Sequence, residues 1–185
     1  MKFTQVAMIR GINVGGSRPV KMDRLRALFA ALGYPGARTY LQSGNVVFAA
    51  PRDDGVGQAR AIAAAIREDL GHEVDVLVRS ARQMTKALQA NPLAAAAPLP
   101  RMLYATFLAG GKGPPTLAGL DLPLAPGERV ELVGDVIYLY CPGGYGNSKV
   151  HNGYFERKLG LRATTRNWAT VTALEAMAHG REVPA

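Results

Sequence analysis

Cysteine is all but absent from this chain: among its 185 residues Cys141 stands alone. A lone thiol excludes an internal disulfide and a cysteine-rich zinc site, and it fits a reducing compartment, for which the cytoplasm is the expectation. Histidine is nearly as scarce. His72, His151 and His179 are scattered, with no His-Glu-x-x-His pattern, so no dedicated metal site is expected. No apolar run approaches the roughly 20 residues that span a bilayer. Met1-Lys2 leads directly into a strand-like run, so neither a membrane partner nor a secretory leader is expected. Acidic residues are outnumbered: 14 Asp and Glu face 22 Lys and Arg, for a formal charge of +8.

The basic excess is uneven. Residues 1–100 hold 13 basic against 7 acidic side chains, whereas residues 101–185 hold 9 against 7. Arg10, Arg18, Lys21, Arg24 and Arg26 cluster with only Asp23 among them, a density that attracts phosphate or nucleic acid. Sixteen of the 22 basic residues are arginine in a chain rich in Ala and Gly. A generic basic surface therefore weighs more than a nucleic-acid footprint.

A chain of this length buries about 70% of its unfolded surface, enough for a real core. Its pattern alternates strand and helix. Phe3 to Ile9 reads as a strand, and Lys21 to Leu32 as a helix with apolar residues at 22, 25, 28 and 32, closed by Gly33. Thr39 to Ser43 and Val46 to Phe48 read as strands around a two-residue Gly44-Asn45 turn. A helix follows on the stripe Ala59, Ile62, Ala63, Ile66, Leu70, then a strand Val74 to Arg79 and a helix Met84 to Leu88. The order repeats: strand Arg101 to Ala109, a short helix Pro115 to Leu120, a hairpin of Arg129 to Val133 and Val136 to Tyr140, helix Val150 to Leu159, strand Ala163 to Thr165, helix Trp168 to Ala178.

Short sequence matches accompany the repeat. Gly44-Asn-Val-Val-Phe48 parallels Gly134-Asp-Val-Ile-Tyr138, and Arg79-Ser80 parallels Arg166-Asn167, each with a helix-capping Ser or Asn. The expected architecture is an α+β tandem duplication of two ferredoxin-like βαββαβ(α) lobes with antiparallel sheets. The lobes are residues 1–92 and 100–185, and the Ala- and Pro-rich residues 93–99 link them.

Three segments sit where a strand ends and a helix begins: Arg10-Gly-Ile-Asn-Val-Gly-Gly16, Gly143-Gly-Tyr-Gly-Asn-Ser-Lys149 and Thr164-Thr-Arg-Asn-Trp168. Helix N-termini expose unpaired N–H groups and a positive dipole end, which suit an anion. In a ferredoxin-like lobe the loop after the first strand lies beside the central hairpin. Arg10, Asn13 and Lys21 are therefore expected near Gln42, Ser43 and Asn45. In the second half Tyr145, Asn147, Ser148 and Lys149 are expected near Arg166 and Asn167. Lys149 and Arg166 suit anion clamps, and the asparagines suit orienting hydrogen bonds.

Taken in order and spacing, Arg10 to Gly16, Tyr40-Leu-Gln-Ser-Gly-Asn-Val-Val-Phe48, Tyr145-Gly-Asn-Ser-Lys149 and Thr164 to Trp168 resemble the bacterial family catalogued as domain of unknown function 1697, over nearly the whole chain. The resemblance implies a small cytosolic α+β protein with ferredoxin-like repeats. It implies no reaction.

No catalytic residue follows from the pattern. The first glycine segment lacks both the P-loop ending and the dinucleotide glycine spacing, and Ser43, Ser148 and Cys141 lack a nucleophile-elbow setting. Two functions stay open. The preferred one is binding of, with or without chemistry on, a small anionic, phosphorylated ligand in a cleft between the lobes. The alternative is a nucleic-acid-binding module on the basic first lobe, with Phe3, Tyr40, Phe48, Tyr104, Phe107, Tyr138 and Tyr140 as strand aromatics but no RNA-recognition pattern.

Overall fold

A computed structural model describes residues 2–15, 18–95, 97, 99–110 and 113–183. Gly16 of the first glycine segment and Ala96 and Pro98 of the expected linker lie outside these. The chain divides into two compact units, residues 1–86 with 173–185 and residues 87–172. By this division residues 93–99 belong to the second unit and the C-terminal segment to the first.

The first unit is built from β1 (Phe3–Ile9), α1 (Met22–Ala31), β2 (Arg38–Tyr40), β3 (Asn45–Ala50), α2 (Gly55–Leu70) and β4 (Val76–Ser80), with α3 (Ala81–Gln89) starting directly after β4. Its sheet is antiparallel in the order β2-β3-β1-β4. Strand periodicity places Ala7 and Ile9, Val46 and Phe48, and Val76 and Val78 on one face. There they form a core with Leu25 and Phe29 of α1 and Ile62 and Ile66 of α2. Ala7 lies opposite both Val46 and Val78, and Phe29 meets Phe48 edge-on at 5.3 Å. Each large side chain buried there contributes about 1.5–3 kcal/mol.

The second unit contains β5 (Leu103–Ala109), β6 (Arg129–Val133), β7 (Val136–Tyr140), α4 (Asn152–Leu159) and β8 (Arg162–Asn167), followed by α5 (Trp168–Ala178). Its antiparallel sheet has the order β6-β7-β5-β8. Leu108, Ile137, Leu139 and Ala163 pack against Tyr154 and Phe155 of α4. Among the described residues the fold is thus mixed α+β, with two four-stranded antiparallel sheets and five helices.

Three sequence expectations are corrected. The first concerns the hairpin: β2 ends at Tyr40 and β3 begins at Asn45, so residues 41–44 form a longer loop in place of a two-residue Gly44-Asn45 turn. The loop closes from within, because the buried Asn45 amide donates to Tyr40 O at 3.2 Å and Ser43 Oγ at 2.9 Å. The second is the helix expected over Pro115 to Leu120, where residues 113–128 form turns and irregular chain. Pro114-Pro115 and Gly119 at φ 76 bracket a stretch too short to sustain a helix without strong packing. The third is the pairing of Val46 with Val136. In β3, Val46 and Phe48 face the core, whereas in β7 Ile137 and Leu139 do. The match is therefore one residue out of step, a slip that exchanges faces.

Candidate functional site

In the first unit the loop after β1 and the β2–β3 loop meet at one end of the sheet, as the sequence leads one to expect. Ile9 N–H donates to Gly44 O at 2.7 Å, and Arg10 N–H donates to Asp75 O at 2.9 Å. Asn13 is the brace. Its amide nitrogen donates to Val20 O and to Gln42 O, both at 2.9 Å, while its carbonyl oxygen accepts from Val20 N–H at 2.7 Å. A side chain expected to orient a ligand is instead spent on holding the two loops together. Asn45 is 0% exposed, so it too acts from beneath the loops.

The backbone here is unusual. Asn13 at φ 55, Arg18 at φ 47 and Leu41 at φ 54 are the non-glycine residues with positive φ among the described residues, and all three lie in these two loops. For Arg18 and Leu41 such a conformation costs on the order of 1–2 kcal/mol, whereas asparagine enters it more readily. Gly11 and Gly44 share the left-handed region at φ 71 and 76. A Cβ on Gly11 would lie 3.0 Å from Arg18 Nη1, which places the Arg18 guanidinium against the Arg10-Gly11 backbone.

Cations surround this end. Arg10 pairs with Asp75 at 3.7 Å, both side chains about a third exposed. Arg18 is exposed, and so is Lys21, which stands at the N-cap of α1 without giving that helix a side-chain cap. Gln42 and Ser43 are exposed on the facing loop. Sequence reading places Arg18 only within a general basic cluster and passes over Leu41. No sequence signal marks a leucine for the left-handed region.

The second unit brings its expected residues into a network of its own. Tyr145 stacks on Tyr104 with ring centroids 5.1 Å apart, shares a hydrogen bond with Thr165 Oγ1 at 3.0 Å, and accepts from Asn152 N–H at 3.0 Å. Thr165 Oγ1 is the hub: it donates to Asn152 Oδ1 at 2.6 Å and meets Thr106 Oγ1 at 2.6 Å. Asn147 donates to Gly143 O at 2.8 Å, and Asn167 Oδ1 caps α5 by accepting from Thr170 N–H at 2.8 Å. The buried Ser148 hydroxyl accepts from Val150 N–H at 3.2 Å.

Lys149 is exposed, and it precedes α4, whose N-cap is His151, so it is not a first-turn residue of that helix. Arg166 is half-buried and donates to Thr164 Oγ1 at 3.0 Å and Thr165 O at 2.9 Å. Burial pulls its guanidinium down to about 10. Tyr145 and Asn152 thus tie their segments to β8 through Thr165, whereas Arg166 bonds Thr164 and Thr165 of β8 itself. Most strand aromatics are closed off: Phe48, Phe107, Tyr138 and Tyr140 are buried, Tyr40 and Tyr104 are half-buried, and Phe3 is exposed.

No cluster of three metal-ligating side chains occurs among the described residues, and none of their helices is long and apolar enough to cross a membrane. The family described as "Protein of unknown function (DUF1697)" matches residues 2–138. Comparison with curated proteins gives no match. Among solved structures the chain is similar to a conserved bacterial protein, SP0830, from Streptococcus pneumoniae, at 22% identity and a TM-score of 0.68, covering 96% of this chain and 99% of that one.

Proposed function

For this chain, which belongs to the domain of unknown function 1697 family, we propose binding of a small anionic, phosphorylated ligand at the loop end of the first unit. The observation that carries this reading is the concentration of positive-φ backbone among cations. Asn13, and at greater cost Arg18 and Leu41, hold positive φ in two loops that also carry Arg10, Arg18 and Lys21. Strained backbone held by a rigid brace is a common feature of ligand sites, and guanidinium and ammonium groups are the usual partners of phosphate. The N–H groups at the start of α1, which the Lys21 side chain does not cap, add donors of the right sign.

The frame we propose for this end is a ferredoxin-like lobe, repeated in the second unit. Three features support the repeat. Both sheets run in the corresponding strand order. Ile9 N–H to Gly44 O corresponds to Leu108 N–H to Asp135 O. Arg79 and Arg166 fall at corresponding register positions, opposite Val6 and Ala105. The nucleic-acid reading ranks second, since burial of most strand aromatics removes the stacking platform that single-stranded RNA uses.

Calorimetric titration with inorganic phosphate tests the proposal. The expected result is saturable binding that Lys21→Ala and Arg18→Gly each weaken by about ten-fold, consistent with loss of one charge-assisted hydrogen bond. Arg18→Gly also suits the local φ. Unchanged affinity in both variants, or no binding by the unaltered protein, contradicts the proposal.

A further inference from the structure

Independently of the ligand site, we propose that the outer edge of β6 docks a second copy of this chain, paired antiparallel across Val130. β6 is an edge strand of the second sheet, joined to β7 by the two-residue Gly134-Asp135 turn. Gly134 at φ 62 supplies the left-handed residue such a hairpin needs. The residues flanking a two-residue turn exchange both backbone hydrogen bonds, and the pattern alternates along the ladder. Val133, Glu131 and Arg129 therefore bond Val136, Tyr138 and Tyr140 of β7. The N–H and C=O groups of Val130 and Leu132 point away from β7, and no bond to them occurs among the described residues. The other edges are shorter or partly occupied. In β8 the Ala163 N–H donates to Glu156 Oε1 at 3.0 Å, in β4 the Ser80 N–H donates to Gln83 Oε1 at 2.9 Å, and β2 has three residues. β6 holds five residues in unbroken register, without proline. An edge left open in this way is a template for another strand.

Charge complementarity identifies the occupant. Val130 and Leu132 turn their side chains to the second core, so Arg129 and Glu131 lie on the other face, where both are exposed. Neither forms an ion pair within the chain among the described residues. An antiparallel strand can meet β6 only where outward backbone groups face outward ones, which limits the registers. With Val130 opposite the partner's Val130, the two residues exchange backbone hydrogen bonds. Arg129 then stands opposite the partner's Glu131, and Glu131 opposite the partner's Arg129, in the closely spaced non-hydrogen-bonded positions where side chains interact most. Centring on Glu131 instead sets it against the partner's Glu131, and like charges directly opposite are destabilising. Centring on Leu132 leaves Glu131 against the partner's Val133. One acid and one base two residues apart thus make the strand complementary to itself in a single register. The chain's charge of +8 opposes association in general, but β6 carries one charge of each sign.

Sedimentation equilibrium of the intact chain and its Arg129→Glu and Glu131→Arg variants, from about 10 µM to about 1 mM, tests this; a pairing this short makes a weak interface. The unaltered protein is expected to pass from monomer to dimer over that range. Each reversal sets like charges opposite one another at both symmetric positions and is expected to weaken the dimer by about ten-fold or more. A 1:1 mixture of the two variants again sets opposite charges against each other and is expected to dimerise about as tightly as the unaltered protein. Both side chains are exposed, so each variant should keep the melting temperature of the unaltered protein at dilution. Amide exchange at Val130 should slow as the concentration rises. A chain that stays monomeric at about 1 mM overturns the inference. So does a dimer that neither reversal weakens, and so does a dimer that the reversals weaken but mixing does not restore.

Discussion

Gly44 shows how a single position sets the geometry of the loop end. At φ 76 it occupies backbone space that glycine enters freely, and a Cβ there would lie 2.7 Å from Ile9 O and 3.0 Å from Ile12 Cγ1. Gly44→Ala should therefore cost about 2 kcal/mol or more in urea unfolding, from the left-handed conformation and from displacing β1 backbone. Gly44-Asn45 is legible in the sequence as a turn. The reason each residue is needed is not, because it depends on β1 passing beneath the loop and on the Asn45 amide reaching Tyr40 O.

Cys141 behaves as a packed side chain. It is 0% exposed. Burial, and next the nearby Glu128 charge, push its thiol up from 9.0 to about 11, against a smaller opposing pull from the Ser148 hydroxyl. The folded chain keeps this proton between about pH 9 and 11 while the unfolded thiol loses it. Stability from this group is thus fully present below pH 9 and lost as the pH rises through that window, by up to about 2 kcal/mol. Tyr138, raised from 10.0 to about 12 by burial and then by Asp135, adds a loss of the same sign at higher pH. Urea midpoints at pH 8 and pH 10.5 should fall further for the unaltered protein than for Cys141→Ala. Equal falls would show that the thiol does not contribute.

Helices announce themselves through their caps. Ser80-x-x-Gln83 is a reciprocal capping box at α3: Ser80 N–H donates to Gln83 Oε1 at 2.9 Å and Gln83 N–H donates to Ser80 Oγ at 3.3 Å. Ser80→Ala is expected to cost about 1 kcal/mol, read from the denaturation midpoint, with Gly a milder replacement. Asp54 serves α2 in the same way through Gly57 N–H at 2.9 Å. Strand-forming runs mark β1, β6 and β7 in the sequence, and helical spacing marks α1 and α5, with Gly33 closing the one and Asn167 capping the other. The helix expected over Pro115 to Leu120 is absent because Leu117 and Leu122 pack on the second core from irregular chain. There tertiary packing overrides a weak local preference. The loop of residues 41–44 departs from the expected two-residue turn for a related reason: dipeptide turn chemistry is local, and the bonds that hold the longer loop come from Ile9 and Asn45.

Across the chain, long-range polar contacts determine what belongs with what. Glu175, 3% exposed, accepts from Thr85 Oγ1 at 2.9 Å, lies 3.5 Å from His179 Nε2 and pairs with Arg181. Arg38 Nη2 donates to Met177 O at 2.7 Å. These bonds fix the last residues to the first unit, an attachment that no periodicity records, which is why sequence reading assigns them to the second lobe. Glu175→Ala should destabilise the protein by about 2 kcal/mol in thermal or urea unfolding, because it strips Thr85 and Arg181 of one shared buried acceptor. A change under 0.5 kcal/mol would show that the cluster is incidental. The candidate site was legible to a different degree. The meeting of residues 10–21 with residues 42–45 followed from strand directions alone, whereas the positive φ of Asn13, Arg18 and Leu41 emerged only from the folded backbone. Backbone amide NMR during titration with inorganic phosphate tests the ligand site most directly. Saturable shifts confined to residues 10–21 and 41–45 are expected, persisting at 0.15 M salt or about physiological ionic strength. Shifts centred elsewhere, or scattered over the basic surface and abolished at that salt, would contradict it.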